Sequence, residues 1–319
     1  MVSHKIHTIA QDLDLIELIP PLKGFSGFIA AWLYRAQISF LVDVGPSTAA
    51  AGLLAALNLL DVRHLDYILL THIHLDHAGA IGQIAAAFPQ APVICHPAGI
   101  DHIADPSRLW EATRKTLGAT AQGYGPVSAV AKNRLVAADQ FQSRALRPVL
   151  TPGHAPHHVS YLTAEYLFAG ETGGVVLPVA GPSGYMRPAT PPRFFLDTAL
   201  NSLDALIACN PDKLCYGHFG IRNNGVQMLR QHRRQLLLWE RIIKEEMAKP
   251  GSDDFLKTCT AKLLKVDPQM AGFSSLPPDI QQRENFFIRN SIKGFEGWLK
   301  NKPGAGYRVQ GTGGADASG

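Results

Sequence analysis

Short apolar runs alternate with longer amphipathic or alanine-rich segments over the first two thirds of the chain. Short runs bounded by Gly, Pro or Asp are typical of buried strands, and the longer segments between them are typical of helices. The predicted strands span residues 40–42, 67–70, 93–95, 146–150 and 213–216, with a hairpin at 159–169. The predicted helices span 47–60, where Ser47 or Thr48 is the expected cap, and then 78–88 and 197–209. Because the same alternation occurs twice, we predict an α+β protein built as a layered sandwich of two similar halves.

The pattern changes to helix after the last predicted strand. Helices are expected at 226–248, 252–265 and 278–300, so residues 225–302 form a predicted helical extension packed on a core of residues 1–224. Residues 106–130 show no strand pattern and are expected to form a helical insertion near the site, as either a lid or a plain connection. The Gly-rich residues 303–319 are predicted to be a flexible tail without catalytic function.

Potential metal ligands follow the predicted strands. The segment His72-x-His74-x-Asp76-His77 comes directly after a strand and before a helix, where one short loop can direct side chains towards two centres. Three histidines and an aspartate within six residues are better explained by metal binding than by packing. His154, Glu171 and His218 also follow apolar strands, so we expect all of these side chains to gather at one edge of the sheets.

Charge and cysteine content exclude several classes of protein. The formal net charge of +4 is spread along the chain without a basic run that could follow a phosphate backbone, so no nucleic-acid partner is expected. The densest basic group has the spacing of a solvated helix face and receives no function: Arg230, Arg233, Arg234, Arg241 and Lys244. Four widely spaced cysteines form no Cys-x-x-Cys pair, which favours reduced thiols over disulfides or a thiolate zinc site. Without a signal-like or membrane-length apolar stretch, we expect a cytoplasmic protein that makes no membrane contact.

Over roughly residues 25 to 220, the chain resembles the metallo-β-lactamase superfamily, which includes glyoxalase II-like and lactonase-like metallohydrolases. The motifs that carry the resemblance occur in order: Val42-Asp43-Val44-Gly45, His72-x-His74-x-Asp76-His77, Thr151-Pro152-Gly153-His154, Gly170-Glu171-Thr172 and Gly217-His218. The resemblance implies a four-layer αββα sandwich, to which the helical C-terminal extension is added.

The resemblance also implies a ligand set for two metal ions. His72, His74 and His154 would bind the first ion, Asp76, His77 and His218 the second, and Glu171 would bridge them. Glu171 departs from the aspartate usual in the family by one methylene, and Asp43 is expected to support the ligands or form the turn. Asp76 is the predicted catalytic residue, which would orient a metal-bridging hydroxide and return a proton to the leaving group.

The expected function is therefore hydrolysis of a small ester, thioester or lactone by a dinuclear metal centre, with zinc as the first choice of metal and iron or manganese as alternatives. Phosphodiester hydrolysis, iron-dependent oxygen or sulfur chemistry, and non-catalytic metal binding stay open as other functions. Two features are candidate substrate contacts: the His157-His158 pair, and the 178–192 loop with Tyr185 and Arg187. The apolar faces of the C-terminal helices are expected to pack on the core, with a homodimer interface as the alternative.

Overall fold

The protein is described here by a computed structural model, which covers residues 4–179, 184–191, 193–249 and 254–301. The predicted C-terminal tail, residues 303–319, and parts of the 178–192 loop lie outside the described residues. Fourteen strands and ten α-helices occur in this part of the chain.

The first half of the chain forms a seven-stranded sheet in which the strands are ordered as they occur in the sequence. Its strands are β1 (His4–Ala10), β2 (Leu13–Leu18), β3 (Ile29–Arg35), β4 (Ser39–Val42), β5 (Tyr67–Leu69), β6 (Val93–Cys95) and β7 (Leu135–Ala137). Strands β1 to β4 are antiparallel to their neighbours, whereas β4 to β7 are parallel. The parallel connections carry α1 (Ala50–Leu59), α2 (Leu75–Ala78), α3 (Ile81–Ala87), α4 (Ile100–Ala104), α5 (Ser107–Leu117) and α6 (Ala119–Tyr124).

The second half forms a five-stranded sheet of order β14-β13-β10-β9-β8 and a separate two-stranded ribbon of β11 and β12. The strands are β8 (Arg147–Leu150), β9 (Val159–Leu162), β10 (Tyr166–Gly170), β11 (Val175–Leu177), β12 (Tyr185–Arg187), β13 (Lys213–Tyr216) and β14 (Ile221–Asn223). Helix α7 (Leu196–Ala208) connects β12 to β13. Three helices follow: α8 (Gly225–Met247), α9 (Phe255–Val266) and α10 (Pro278–Asn301).

Alternation of side chains along the strands explains the four layers. In β10, Tyr166 and Phe168 belong to an apolar cluster shared by the two sheets, whereas Leu167 and Ala169 belong to a larger cluster shared with the helices. In β5, Leu69 belongs to the cluster between the sheets and Ile68 to the cluster shared with the helices. Each sheet thus buries one face against the other sheet and one face against helices, which confirms the predicted αββα sandwich with C-terminal helices.

Several details differ from the sequence predictions. Seven strands were not predicted: β1, β2, β3, β7, β11, β12 and β14. Among them, β2 is a continuous buried run, and β12 lies inside the segment 178–192 that was predicted to be a loop. The predicted helix 78–88 begins earlier, at Leu75, and is divided into α2 and α3. Neither Ser47 nor Thr48 caps α1, because Ser47 accepts a hydrogen bond from Gln83 and Thr48 donates to Gly123 O instead.

The three C-terminal helices begin at Gly225, where the helical extension was predicted to begin. Trp239 of α8 and Phe295 of α10 belong to the same apolar cluster as the core helices. The division into domains itself stays a prediction. None of the helices in the described ranges combines the length and the hydropathy needed to cross a lipid bilayer.

Candidate metal centre

The fold brings the predicted ligands together at one edge of the sandwich. His72, His74, Asp76 and His77 lie in and just after the turn that leaves β5, while Glu171 and His218 follow the neighbouring strands β10 and β13. Hydrogen bonds across the sheets fix this edge: Val159 N donates to Thr71 O at 2.7 Å, and Trp32 Nε1 donates to Tyr216 O at 2.9 Å. The turns that carry the candidate ligands are therefore held in place by hydrogen bonds to the backbone carbonyl groups of Thr71 and Tyr216.

The candidate ligands form two adjacent groups that could each hold a metal ion. One group contains His72, His74, His154 and Glu171, and the other contains Asp76, His77 and His218. Within each group the potential ligand atoms lie within 4.8 Å of one another. Imidazole nitrogens and carboxylate oxygens are ordinary ligands of zinc, iron and manganese.

Glu171 lies between the two groups. Its Oε2 atom is 2.8 Å from His154 Nε2 and 3.3 Å from His72 Nε2, and its Oε1 atom is 2.9 Å from His218 Nε2. Burial alone would raise the pKa of Glu171, but His154 and His218 outweigh burial and hold that pKa well below its usual range. The carboxylate is therefore charged and reaches members of both groups.

Two buried ring nitrogens indicate that the cluster suits metal ions. Among the described residues, His72 Nε2 and His77 Nε2 make no hydrogen bond, although Glu171 Oε2 lies 3.3 and 3.7 Å from them. Buried polar atoms normally find a partner, so two such nitrogens facing one carboxylate indicate that a ligand belongs between them. Burial also lowers the pKa of His72 well below its usual value and that of His74 to about 3, which keeps both rings neutral, as metal ligands must be. Asp43 outweighs burial and raises the pKa of His77 to about 9, and Glu171 outweighs burial and raises that of His154, so these two rings would release a proton when a metal ion binds. The donor set fits metal ions.

Asp43 supports this cluster from below. Residue 43 adopts a left-handed conformation, with φ of 58°, at the end of β4. Its carboxylate accepts hydrogen bonds from Thr71 N, Thr71 Oγ1 and His77 Nδ1, each at 2.8 Å. Donation from Nδ1 leaves the Nε2 lone pair of His77 free to face the second group. The structure thus gives Asp43 the supporting place that was expected from the sequence.

Other side chains hold the ligand rings in place. His154 Nδ1 lies 2.8 Å from Ala189 O, so it donates to that carbonyl. Phe28 stacks on His218 at a centroid distance of 4.0 Å. On the far side of Glu171, His158 Nε2 accepts a hydrogen bond from Glu171 N at 3.1 Å. These contacts fix the orientation of the His154 and His218 rings and of the Glu171 backbone.

A cavity of about 310 Å³ opens above the two groups. His74, Asp76, His154, Glu171 and His218 form its floor. Its walls include residues of the predicted insertion and of the C-terminal helix. They are Leu109, Ala112, Thr113, Thr116 and Leu117 of α5, Tyr124 of α6, Phe28, and Phe287, Asn290 and Ser291 of α10. Within the predicted insertion 106–130, α5 and α6 are helical and line the cavity, whereas residues 125–130 form no helix.

The predicted substrate contacts divide into two pairs. His157 and Arg187 line the cavity, whereas His158 and Tyr185 are completely buried behind it. His158 supports Glu171, and Tyr185 Oη donates to Glu284 Oε2 at 2.8 Å. Phe28, Tyr124 and the α10 side chains Phe287, Asn290 and Ser291 were not predicted as part of the site. No motif marks them, because packing explains the aromatic residues equally well and a solvated helix face explains Asn290 and Ser291.

Comparison with known proteins agrees with this geometry. Residues 25–218 match the family model of the metallo-β-lactamase superfamily. The chain belongs to the metallo-β-lactamase superfamily. Members of this superfamily are generally hydrolytic metalloenzymes that bind metal ions.

Individual relatives are distant. The chain is 26% identical over 215 residues to the metallo-β-lactamase fold-containing protein ST1585 of Sulfurisphaera tokodaii, an alignment that covers 65% of this chain and 77% of the relative. It is 28% identical over 177 residues to a hydroxyacylglutathione hydrolase of Shewanella baltica, which covers 56% of this chain and 54% of that enzyme. The superfamily fold is also found in the solved structure of TTHA1429 from Thermus thermophilus, with a TM-score of 0.61, 20% identity, and coverage of 93% of this chain and 96% of that one.

Proposed function

We propose that this chain is a dinuclear metal-dependent hydrolase that acts on a small ester, thioester or lactone. The observation that carries the proposal is the position of Glu171, whose two oxygens reach His154 at 2.8 Å and His218 at 2.9 Å. These histidines belong to two different groups of potential ligands. A single carboxylate shared by two such groups suits two neighbouring metal ions better than one.

In this proposal His72, His74 and His154 hold one ion, Asp76, His77 and His218 hold the other, and Glu171 contacts both. When bound, two such ions lower the pKa of a coordinated water towards neutral and polarise the oxygen of a scissile carbonyl group. Zinc is the expected metal because imidazole and carboxylate ligands suit it, and iron and manganese accept the same ligands.

Asp76 is the proposed catalytic residue. It lines the cavity floor beside His77 and His218, and it is partly exposed, unlike the fully buried Asp43. A carboxylate in this position can accept a hydrogen bond from the attacking water and return a proton to the leaving group.

The cavity favours acyl substrates over phosphodiesters. Its walls are lined mainly by aliphatic, aromatic and threonine side chains, and Arg187 is the one guanidinium or ammonium group among its described lining residues. A polynucleotide or phosphodiester site normally presents several basic groups. The hydroxyacylglutathione hydrolases among the relatives cleave, by their name, an acyl derivative of glutathione, which supports the acyl class.

The test is metal content together with activity. Protein purified without added metal is analysed for elements, alongside Glu171→Ala, His218→Ala and the control His64→Ala, which removes an exposed histidine outside the site. We expect about two transition-metal ions per chain in the wild-type and control proteins and fewer in the other two. Hydrolysis of nitrophenyl esters, thioesters and lactones should follow metal content.

One iron per chain that is unaffected by the loss of His218 would contradict the dinuclear assignment. Full metal loading without turnover of any acyl substrate or phosphodiester would contradict the hydrolase assignment. For the proton-transfer role, Asp76→Asn is compared with wild type after metal content has been measured in both. An Asp76→Asn protein that keeps both ions and full turnover would exclude that role.

A further inference from the structure

A buried cluster of charged side chains lies behind the cavity wall. Glu284 of α10 is completely buried, and its Oε2 accepts hydrogen bonds from Arg187 Nε at 2.5 Å and from Tyr185 Oη at 2.8 Å. Its Oε1 accepts from Arg283 Nε at 2.9 Å. The two arginine side chains are each only 3% exposed. Three charged groups are therefore taken out of water together.

The charges in this cluster do not cancel. Arg187 and Arg283 each carry a positive charge, and Glu284 supplies one negative charge, so the cluster has a net charge of +1. Burial would lower the pKa of Arg187, but Glu284 and then Tyr185 raise it above its usual value, so this guanidinium stays charged. A buried net charge is costly unless a counter-charge lies nearby.

The two carboxylates on the cavity floor are engaged elsewhere. Asp76 and Glu171 belong to the two groups of potential metal ligands, and Glu171 also contacts His154 and His218. In the proposed function, on which this inference rests, their negative charges are balanced by metal ions. Glu171 also favours the charged form of Arg187, but less than Glu284 does, and no carboxylate among the described cavity residues pairs directly with this guanidinium.

Arg187 is the member of the cluster that reaches the cavity. It lines the cavity, whereas Arg283, Glu284 and Tyr185 do not. Of its five N–H donors, Nε donates to Glu284 and Nη1 donates to Pro188 O at 3.1 Å, and among the described residues Nη2 makes no hydrogen bond. Glu284 and the ring of Phe287, 5.0 Å from the guanidinium carbon, hold the group in place. The guanidinium is thus fixed at the cavity with Nη2 donors that no described residue uses.

We propose that Arg187 determines specificity, and that the preferred substrate is an ester, thioester or lactone that also carries a carboxylate group. A guanidinium with free N–H donors matches a carboxylate in shape and charge, and the single net charge of the cluster matches the single charge of a carboxylate. Asn290, which is half-buried and lines the same cavity, offers a further amide donor.

The test compares two esters of equal length. The p-nitrophenyl monoester of adipic acid ends in a carboxylate, and p-nitrophenyl hexanoate ends in a methyl group. We expect kcat/KM to be higher for the adipate ester in the wild type, and this ratio to fall about 10- to 100-fold in Arg187→Met, since hydrogen bonds between charged groups are of that strength. Glu284→Gln removes the negative charge of the cluster and should raise the ratio instead.

Arg233→Met is the matched control, because Arg233 pairs with Asp204 on the surface, away from the cavity. Thermal unfolding of each variant shows whether it is folded. A ratio that is unchanged in both Arg187→Met and Glu284→Gln, while the esters are still hydrolysed, would overturn the carboxylate subsite and leave the hydrolase assignment intact.

A binding measurement separates the two proposals if no ester is hydrolysed. Calorimetric titration of the protein as purified with hexanoate and with hexanamide measures the preference for the charged head group. A preference for hexanoate that is lost in Arg187→Met would support the subsite although the hydrolase proposal had failed. Equal affinity for the two compounds would overturn the subsite.

Discussion

Replacing Asp43 with asparagine tests how the second group of ligands is organised. The carboxylate accepts hydrogen bonds from Thr71 N, Thr71 Oγ1 and His77 Nδ1, each at 2.8 Å. In Asp43→Asn, an amide nitrogen takes the place of one carboxylate oxygen. Whereas the oxygen accepted a hydrogen bond, this nitrogen can only donate one. If it faces His77, that ring must accept at Nδ1 and carry its proton on Nε2, where a metal ligand needs a lone pair.

The expected loss of metal affinity in Asp43→Asn is large enough to measure. Changes of such supporting carboxylates cost about 10- to 100-fold in metal affinity, which is about 1.4 to 2.8 kcal/mol. Competition with a chromophoric zinc chelator measures this affinity. Asp66→Asn is the control, because Asp66 lies 3.2 Å from His64 at an exposed position outside the site. Equal zinc affinity of Asp43→Asn and wild type would refute the reasoning.

The pH dependence of the metal-free protein gives a second readout. Burial lowers the pKa of His77, but Asp43 outweighs burial and raises this pKa from 6.5 to about 9. Because the folded state binds the proton more tightly, this stabilisation is fully present below pH 6.5 and is lost as the pH rises through 9. It amounts to about 3 kcal/mol at about 1.36 kcal/mol per pKa unit. Urea unfolding of chelator-treated protein at a series of pH values should show this loss of stability with rising pH in wild type. Asp43→Asn should not show it.

Two further predictions concern the backbone and the sheets beneath the site. A Cβ atom at Gly170 would lie 2.4 Å from His158 Nε2 at φ of +55°, so Gly170→Ala should destabilise the protein by more than the about 1–2 kcal/mol of a left-handed residue alone. Gly118→Ala, at φ of +54° with open space around it, is the control in urea unfolding, and equal losses would contradict the steric argument. The single hydroxyl hydrogen of Tyr161 is shared between two buried backbone carbonyl oxygens, 2.9 and 3.0 Å from Oη, so Tyr161→Phe should lower the free energy of unfolding by about 1–3 kcal/mol. An unchanged thermal midpoint would contradict that expectation.

Local patterns were sufficient to predict most of the strands around the site. The apolar runs that became β5, β10 and β13 are each followed by candidate ligands, and these runs lie in the middle of the sheets, where burial on both faces makes the pattern continuous. Strands β1 to β3, of six or seven residues each, were missed because no candidate ligand or recognisable turn follows them in the sequence. Ligand identity could be predicted because few residue types bind metals and because their spacing is local.

The cavity could not be predicted in the same way. Its walls combine α5, from the insertion, with α10, the last helix of the described chain. These two segments are far apart in the sequence, and only the packing of the helices on the sandwich brings them together. The same holds for Arg187, whose partner Glu284 is 97 residues away and has no local signal in the sequence. The sequence by itself determined the strand-and-helix order and the chemistry of the ligands, because both depend on neighbouring residues. Tertiary structure decided what surrounds the ligands, because the contacts between distant segments depend on how whole elements pack.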